Sequence, residues 1–396
     1  MKFPAGAPLR QASPNPARAA ARLVVLLGVV SLLADATYEG ARSILGPYLL
    51  ALGASATAVG FVSGFGEFVG YGLRLLSGRL ADRTRGYWAL TGAGYLVNLA
   101  AVPLLALAGR WELAAALVAA ERAGKALRTP PRDAMLSYAA SRVGPGWAFG
   151  LHEALDQVGA VAGPVGVGLL LAAGRGHRDA FLWLSVPATL CLLVLARAYR
   201  EFPQPTQLQD ASVPVDLRLG AALRVYLAGA ALVAAGFADF PLLAYHFTRT
   251  SAAPPSGVPL LYAAAMAADA AAALALGRWF DRRGMAVLAL GTAASAAFAP
   301  LSVYGGPGGA VAGALLWGVG VGLQESVLRA AVARMVPPDR RASAFGLLQA
   351  VYGVAWFAGS ALLGVLYDAH PAGFVLFAVG SQLAGALLFT VASRRR

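Results

Sequence analysis

Residues 78–83 read Gly-Arg-Leu-Ala-Asp-Arg, and residues 277–282 repeat this stretch as Gly-Arg-Trp-Phe-Asp-Arg. Both copies follow a long apolar segment and end in an Asp-Arg pair. A second repeat, with nearly the same offset, relates Ala-Phe-Gly-Leu at residues 148–151 to the same residues at 344–347. Repeats at a common spacing indicate that the chain consists of two similar halves that run in the same direction.

The composition places the chain in a membrane class. Hydrophobic residues make up 58% of its 396 residues and charged residues only 13%, about half the charged share of a typical soluble domain. The mean hydropathy is +0.64. These values exclude a soluble globular enzyme and a disordered protein, and they argue against a membrane β-barrel. Because apolar stretches of about 20 residues recur along the chain, we predict an all-α protein that crosses a membrane repeatedly.

The apolar segments predict twelve transmembrane helices in two six-helix halves related by a parallel repeat. A polar segment rich in Pro and Gln lies between the halves and marks a linker. The first apolar segment is long enough to span, so we expect no cleavable signal. The predicted boundaries are an N-terminal cytoplasmic tail at 1–21, the first half at 22–199, a cytoplasmic linker at 200–218, the second half at 219–393 and a basic tail at 394–396.

The basic residues predict the orientation of the chain. The formal net charge is +13, and only Lys2 and Lys125 among the 32 bases are lysines. With the N-terminus in the cytoplasm, 22 bases fall on the cytoplasmic side, four fall outside and six lie within spans. Because bases concentrate in cytoplasmic loops, we predict an integral protein of the plasma (inner) membrane with both termini in the cytoplasm. Topology explains the bases, so no nucleic-acid partner is expected.

Twelve spans, a six-plus-six parallel repeat and the duplicated G-x-x-x-D-R motif resemble the major facilitator superfamily over essentially the whole chain. Within it, the chain is similar to the twelve-helix drug/proton antiporter branch. The resemblance implies a motif that latches the cytoplasmic gate, because glycine permits close helix approach and an Asp at a helix end can pair with Arg. The alternative is a static loop whose charges only set the topology. The motif residues are Gly78, Asp82, Arg83, Gly277, Asp281 and Arg282.

Two further motifs support the resemblance. Gly159, Gly163 and Pro164 are similar to the glycine-proline antiporter motif in span 5, although the final glycine pair is displaced. Such a helix face can pack closely on another helix. The similarity to the antiporter motif favours export over import, and helix packing without a role in transport is the alternative. Arg122 matches the span-4 arginine motif of the branch, while Lys125 stands where glutamine is common.

Charged residues are numerous inside the predicted spans. An unshielded charge at the centre of a membrane helix costs about 2.5–3.5 kcal/mol, so these groups must pair, take up protons or line a wet cavity. Most of them lie in the first half, which therefore is expected to handle the protons. We expect Glu67 to pair with Arg74, and Arg128 and Arg132 to lie at a solvated cytoplasmic mouth. The acids within spans are Asp35, Glu39, Glu67, Glu121, Glu153, Asp156, Asp239, Asp269 and Glu325.

Four of the first-half acids and one base, Arg122, are candidates for proton coupling. Asp35, near the middle of span 1, is the first choice, because a carboxyl group in a low dielectric can load and release a proton near neutral pH. A permanent ion pair is the alternative, and Glu39 can simply pair with Arg42. Arg122 can promote proton release from a nearby carboxyl group or stay permanently paired. Asp156, which shares a helix face with His152, is a second proton carrier, and Glu153 points elsewhere.

The second half supplies the candidate substrate contacts. Acids, amides and aromatic rings suit an amphipathic or cationic ligand through charge pairing and cation–π contact. A packed core is the alternative for each aromatic ring. The candidates are Asp239, Asp269, Gln324, Glu325, Gln349, Tyr352 and Trp356.

The sequence predicts a transporter and not an enzyme. It lacks a P-loop and the hydrolase and zinc-protease motifs. A single cysteine, Cys191, excludes an internal disulfide and a cysteine metal cluster, and no cofactor is expected. We predict proton-coupled export of a small amphipathic or cationic molecule by alternating access, by a monomer in the lipid bilayer. The alternatives are proton-coupled uptake of a polar or anionic metabolite, and a transporter-like sensor or scaffold.

Overall fold

The computed structural model describes residues 16–204, 220–336 and 341–394, which form twelve helical rods. Four rods are built from shorter helical segments, and one of these, α10, contains a π-helical turn. The rods are α1 Pro16–Ala51, α2 Ala56–Thr84, α3 Tyr87–Leu104, α4 Trp111–Val143, α5 Pro145–Ala172, α6 His177–Trp183 with Ser185–Glu201, α7 Ala221–Gly236 with Phe240–Arg249, α8 Gly257–Arg283, α9 Met285–Ser295 with Phe298–Tyr304, α10 Gly306–Gly322 with Leu323–Val327 and Leu328–Met335, α11 Arg341–Ala369 and α12 Pro371–Arg394.

The twelve rods confirm the predicted all-α membrane architecture. Within the described ranges, ten rods are long and apolar enough to cross a membrane by themselves. The other two, α2 and α4, are diluted by glycines and by charged residues respectively. Neighbouring helices pack against both of them, and this packing allows these less apolar helices to cross the membrane. Tertiary packing thus keeps their polar groups away from lipid.

The two halves repeat the same helix contact. A Cβ atom placed on Gly163 of α5 would lie 2.0 Å from the carbonyl oxygen of Ala36 in α1. A Cβ atom on Gly359 of α11 would lie 2.1 Å from the carbonyl oxygen of Ala235 in α7. Because α11 and α7 are the counterparts of α5 and α1, the same backbone contact occurs once in each half. This equivalence confirms the parallel repeat.

Gly163→Ala is expected to destabilise the protein by about 1–3 kcal/mol, because the new methyl group would overlap the α1 backbone. Gly150→Ala on the same helix is the matched control, since its Cβ would meet no atom within 4 Å. Unfolding of the purified variants in detergent, followed by circular dichroism, measures the difference. Equal stability of the two variants would contradict close packing of α1 on α5.

The two faces of the bundle differ. We call the face where α1 begins and α12 ends the terminal face, and the other the opposite face. Near the opposite face, Asp368 at the end of α11 accepts hydrogen bonds from the Thr57 N–H and hydroxyl, both at 2.7 Å, and from the Ala56 N–H at 3.2 Å. The Asp368 carboxylate thus caps α2 from the other half. The Phe357 ring of α11 also packs 5.5 Å from that of Phe61 in α2, so the halves are joined on this side.

Toward the terminal face the halves enclose a cavity. Tyr71 of α2 and Tyr352 of α11 approach across the halves, with 6.1 Å between ring centroids. Beyond them the cavity wall includes Phe149 at the start of α5 and Phe345 at the start of α11. The cavity therefore reaches from the centre of the bundle toward the terminal face.

The predicted segment boundaries differ slightly from the helix ends. Helix α1 begins at Pro16, inside the tail predicted at 1–21, because the Ala- and Arg-rich residues before the apolar run also favour helix. Helix α6 continues to Glu201, inside the predicted linker. Most of the linker at 200–218, residues 205–218, lies outside the described residues, as do residue 219, residues 1–15 and the end of the basic tail at 395–396.

Candidate functional site

A cavity of about 830 Å³ lies between the halves. This volume is within the range of small-molecule sites. Its wall combines aromatic rings with eight acids and seven bases of the described chain. The charged lining residues are Asp35, Glu39, Glu67, Asp133, Glu153, Asp156, Asp269, Glu325, Arg42, Arg74, Arg122, Lys125, Arg128, Arg132 and Arg329.

Arg42 on α1 holds the two halves together at the centre of the bundle. Its guanidinium lies 2.5 Å from the Asp239 carboxylate in the second half. On the first-half side it lies 3.5 Å from Glu67 and 3.9 Å from Glu39. The predicted Glu39–Arg42 pair is therefore present, as the longest of three contacts. Glu39 also accepts a hydrogen bond from the Tyr262 hydroxyl of α8, which adds a second link between the halves.

Asp239 has a structural position and does not line the cavity. Helix α7 is broken at residues 237–239, and the Asp239 carboxylate accepts the Phe240 N–H at 2.9 Å, as an N-cap. Its side chain is only 2% exposed and is occupied by Arg42. Asp239 is not among the residues that line the cavity in this conformation, since its carboxylate pairs with the lining residue Arg42, and its contact with substrate stays a prediction.

Arg122 on α4 is paired. Its guanidinium lies 3.3 Å from Glu67 on α2 and 3.3 Å from Glu121 beside it. The Asn98 amide of α3 holds Glu121 through a 2.6 Å hydrogen bond. Arg122 and Arg42 therefore share Glu67 as a partner. In this conformation Arg122 forms ion pairs, as in the alternative in which it stays permanently paired.

The predicted pair of Glu67 with Arg74 is not formed. The Arg74 guanidinium instead stacks on the Tyr71 ring, 5.2 Å from its centroid. The two residues lie on one face of α2, but the bases of α1 and α4 approach Glu67 more closely. Helix periodicity correctly places Glu67 and Arg74 on one face of α2. It cannot identify the partners of Glu67, because they come from other helices.

Asp35 faces the cavity beside Arg128. The Asp35 carboxylate lies 4.0 Å from the Arg128 guanidinium, which is a loose ion pair. Arg128 is only 1% exposed and stacks on Tyr95 at 4.3 Å. Its Nε and Nη1 atoms have no hydrogen-bond partner within the described chain. The structure thus corrects the expectation of a solvated Arg128, because α3 packs over it.

Asp156 belongs to a small network at the α1–α4–α5 junction. Its carboxylate lies 3.6 Å from His152 Nε2, one turn earlier on α5. Ser31 contacts the same ring nitrogen at 3.2 Å and accepts a 2.7 Å hydrogen bond from Arg132. Arg132 is therefore buried here and does not lie in a solvated mouth. Glu153 is exposed and lines the cavity from another face of α5.

The second-half wall contains six of the seven predicted substrate residues. Gln324 and Glu325 lie in the π-helical turn of α10, and such turns are frequent at functional sites. The Tyr352 hydroxyl of α11 donates to the Gln324 side-chain oxygen. Asp269 of α8 is 3% exposed. The six residues brought together at the cavity are Asp269, Gln324, Glu325, Gln349, Tyr352 and Trp356.

Lys125 is the residue that sequence reasoning undervalued. Its ammonium group lies 3.8 Å above the centroid of the Tyr38 ring, which stabilises a cation. Within the described chain its ammonium forms no ion pair within 4.0 Å, although Glu39 and Asp35 are near enough for their charges to act on it. Its spacing from Glu121 and Arg128 places it on the charged stripe of α4, and this was the available signal.

The second copy of the duplicated motif forms an ion pair within its own half. Asp281 accepts a 2.9 Å hydrogen bond from Arg334 of α10, which also donates to the Phe280 carbonyl at 3.3 Å. A Cβ atom placed on Gly277 would have no neighbouring atom within 4 Å, so this glycine does not mark a close helix contact. Arg282 is exposed. This copy joins α8 to α10 and makes no link across the halves through these residues.

The first copy is described only in part. A Cβ atom on Gly78 would lie 3.6 Å from Pro130 of α4, an ordinary contact within the first half. Arg83 is exposed at the end of α2. The side chain of Asp82 lies outside the described residues.

The glycine-proline motif of α5 packs against α1. Gly159 approaches the Leu32 carbonyl and Gly163 approaches that of Ala36, at 2.2 and 2.0 Å from the added Cβ positions. Pro164 lies within α5, which continues as one helix to Ala172. The motif therefore supports close helix packing beside Asp35 and Asp156, which lie on these two helices. Within the described chain no set of three or more His, Cys, Asp or Glu side chains could hold a metal ion.

Comparison with known proteins defines the family. The sequence profile of the Major Facilitator Superfamily matches residues 27–360 and 225–396. The chain belongs to this superfamily. It is 44% identical to an uncharacterized protein of Mycobacterium tuberculosis over 93% of this chain and 92% of that protein. An uncharacterized MFS-type transporter of Methanocaldococcus jannaschii is 34% identical over 35% of each chain.

Solved structures share the major facilitator fold. The nucleoside transporter NupG has a TM-score of 0.77 and 14% identity, over 94% of this chain and 99% of that one. A bacterial homolog of the human lysosomal transporter Spinster has a TM-score of 0.74 and 16% identity, over 97% and 98%. At these identities the likeness shows the fold alone. The profile match confirms the predicted superfamily, whose members are membrane transporters, and the drug/proton antiporter branch stays a prediction.

Proposed function

We propose that the protein is a proton-coupled secondary transporter that exports a small amphipathic or cationic molecule by alternating access. One observation carries this proposal: a charged, aromatic-lined cavity lies between two repeated halves and reaches toward one face, while contacts such as that of Asp368 with Thr57 join the halves at the other. Rocking of the halves would break these contacts and expose the same cavity to the opposite face.

The orientation follows from the bases. The terminal face carries the base-rich tails and loops, and bases concentrate on the cytoplasmic side. The protein would lie in the plasma (inner) membrane as a monomer, with both termini in the cytoplasm. The cavity would then face the cytoplasm, ready to take up a substrate for export.

Proton coupling is assigned to the first half. Asp35 and Asp156 lie on the neighbouring helices α1 and α5, with the Arg128 guanidinium 4.0 Å from Asp35 and the His152 ring nitrogen 3.6 Å from Asp156. These loose contacts leave both carboxyl groups able to take up a proton. Arg122 stays paired with Glu67 and would fix the charge of the cavity floor. The negative charges of Glu39 and Glu153 would change the proton affinity of Asp35 and Asp156.

The second half is assigned to the substrate. Asp269 and Glu325 form no ion pair within 4.0 Å in the described chain, and Tyr352 and Trp356 flank them. A cationic group that binds these acids repels a proton in the same low-dielectric cavity. Each therefore weakens the binding of the other, and this negative coupling is what exchange of substrate for protons requires. Gln324 and Gln349 would orient the polar parts of the ligand.

The family motifs would stabilise the helices around the gate and the proton site. Asp281 with Arg334, and the matching stretch that contains Gly78, Asp82 and Arg83, would brace the helices at the cytoplasmic gate. Gly277 and Arg282 are the other residues of the second motif copy. The backbone contact of Gly159 and Gly163 with α1, next to Pro164, would keep the proton site rigid during the motion.

Proton-coupled uptake of a polar or anionic metabolite is the second candidate. Within the described chain, Lys125 forms no ion pair and the Nε and Nη1 atoms of Arg128 have no hydrogen-bond partner. These two observations favour uptake, because both groups could bind an anion. A proton on Asp35 would then free these bases, so proton and anion would bind together.

Inside-out vesicles with an acidified lumen test the proposal. Lipophilic cations, neutral compounds and anions are added in turn, and dequenching of a pH-sensitive dye reports proton release. Release on addition of cations is expected. Further acidification of the lumen on addition of anions would favour uptake, because the anion and the proton would then enter the vesicle together. No response to any compound, despite protein in the membrane, would reject proton coupling.

A further inference from the structure

The cavity contains a cation and an anion that face each other without pairing. Lys125 of α4 belongs to the first half, and its only close polar support in the described chain is the Tyr38 ring at 3.8 Å. The nearby acids have other partners, because Glu39 accepts from Tyr262 and Asp35 lies 4.0 Å from Arg128. The three N–H donors of Lys125 thus remain available to a ligand.

Glu325 is the corresponding anion in the second half. It lies in the π-helical turn of α10, is exposed to the cavity, and forms no ion pair within 4.0 Å in the described chain. The charge of Lys125 reaches Glu325, although the two groups are too far apart to form an ion pair. The space between them lies on the boundary between the halves.

We propose that the substrate carries both charges, with an anionic group bound by Lys125 and a cationic group bound by Glu325. The inference rests on the proposed function in one respect, that the cavity is the substrate site of a transporter. It replaces a purely cationic or purely anionic ligand with a dipolar one, such as a zwitterionic amino acid or a peptide-like molecule.

Electrostatics favour the dipolar ligand over either single charge. A lone anion at Lys125 would lie close to Glu39 and Asp35, and a lone cation at Glu325 would lie close to Arg329 on the next turn. A ligand with both groups has an attractive partner at each end. Asp269 and the rings of Tyr352 and Trp356 would hold its body.

The same arrangement links binding to motion. A ligand bound at both ends joins α4 of the first half to α10 of the second. It therefore stabilises the state in which the halves close around it, whereas a ligand bound to one half alone lacks this link between the halves. Only a differential affinity can shift a conformational equilibrium. The charge pair thus selects the molecules that complete the cycle.

The test measures binding to the purified full chain in lipid nanodiscs, by isothermal titration calorimetry at constant pH. Each probe series has one scaffold in three charge forms: phenylalanine as zwitterion, phenylalaninamide as cation and N-acetylphenylalanine as anion. Glycine and the dipeptide Phe-Phe supply smaller and larger series of the same three forms. In at least one series the zwitterion is expected to bind about tenfold or more tightly than both single-charge forms, as expected for one additional charge-assisted contact.

Two variants assign the two ends. Lys125→Met should reduce zwitterion affinity about tenfold and leave the amide unchanged, while Glu325→Gln should reduce it equally and leave the N-acetyl form unchanged. Lys125→Arg should retain zwitterion binding. Arg110→Met and Glu112→Gln, an exposed pair at the opposite face outside the cavity lining, are matched controls. Unchanged binding of one probe in each variant also shows that the site remains folded.

Three outcomes would overturn the inference: no binding of any zwitterion, no preference over the single-charge forms, or equal loss of all three forms in both variants. The outcome is separate from that of the proposed function, because no proton gradient is used. Zwitterion binding without proton release in vesicles would reject the coupling and keep this inference. Proton release with cations, together with no preference for zwitterions, would keep the proton coupling and reject this inference.

Discussion

Asp35→Asn is expected to reduce substrate-driven proton release in vesicles to the background of empty membranes. The amide keeps the size of the side chain and its contact with Arg128, but it cannot bind and release a proton. Asp35 is 8% exposed and lines the cavity, so protons can reach it while lipid cannot.

Asp179→Asn is the matched control, because this acid is exposed near the start of α6 and does not line the cavity. It should leave proton release unchanged. Ligand binding to Asp35→Asn, measured as for the zwitterion series, should persist and would show that the variant is folded. If Asp35→Asn releases protons like the wild type, Asp35 is not in the proton path. The same assay on Asp156→Asn then tests the other carrier.

Arg42→Met is expected to destabilise the protein by about 3–5 kcal/mol, the range for breaking a buried ion pair. The substitution leaves the Asp239 carboxylate, which is 2% exposed, without its 2.5 Å partner. Glu67 is less affected, because Arg122 lies 3.3 Å from it. Unfolding in mixed detergent micelles, followed by circular dichroism, measures the change.

A double-mutant cycle separates the pair from general packing. Arg42→Met with Asp239→Asn should recover part of the lost stability, since asparagine can still cap the second segment of α7 without a charge. Arg110→Met is the control, because its 3.5 Å pair with Glu112 is largely exposed and such pairs contribute about 1 kcal/mol or less. Equal losses for Arg42→Met and Arg110→Met, or strict additivity in the cycle, would show that this bridge does not stabilise the fold.

Sequence spacing predicted the architecture because that architecture repeats. The motif copies at 78–83 and 277–282 placed the same helix end in both halves, and the structure has α2 and α8 ending there. The offset that pairs Gly163 with Gly359 also predicted equivalent helix faces, and both glycines contact a backbone in the structure. The apolar runs fixed the number of crossings, since lipid requires each crossing to satisfy its own backbone hydrogen bonds.

Sequence spacing was less informative about the partners of each charge. It brought Asp35, Asp156, Asp269 and Glu325 correctly to the interior, because a charge in a span must avoid lipid. It paired Glu67 with Arg74 on the same helix, whereas the partners of Glu67 come from α1 and α4. Nothing in the local pattern distinguishes a base one turn away from a base on another helix.

By itself, then, the sequence determined the twelve crossings, the repeat and the set of charges that must lie inside. Only the tertiary structure decided that Arg42 meets Asp239 across a separation of 197 residues, and that Asp239 therefore caps a helix and does not line the cavity. It also decided that, among the residues the structure describes, Lys125 and Glu325 have no ion-pair partner within 4.0 Å. The physical reason is that helix periodicity depends on backbone geometry within one segment, whereas ion pairing depends on distances between segments that only packing establishes.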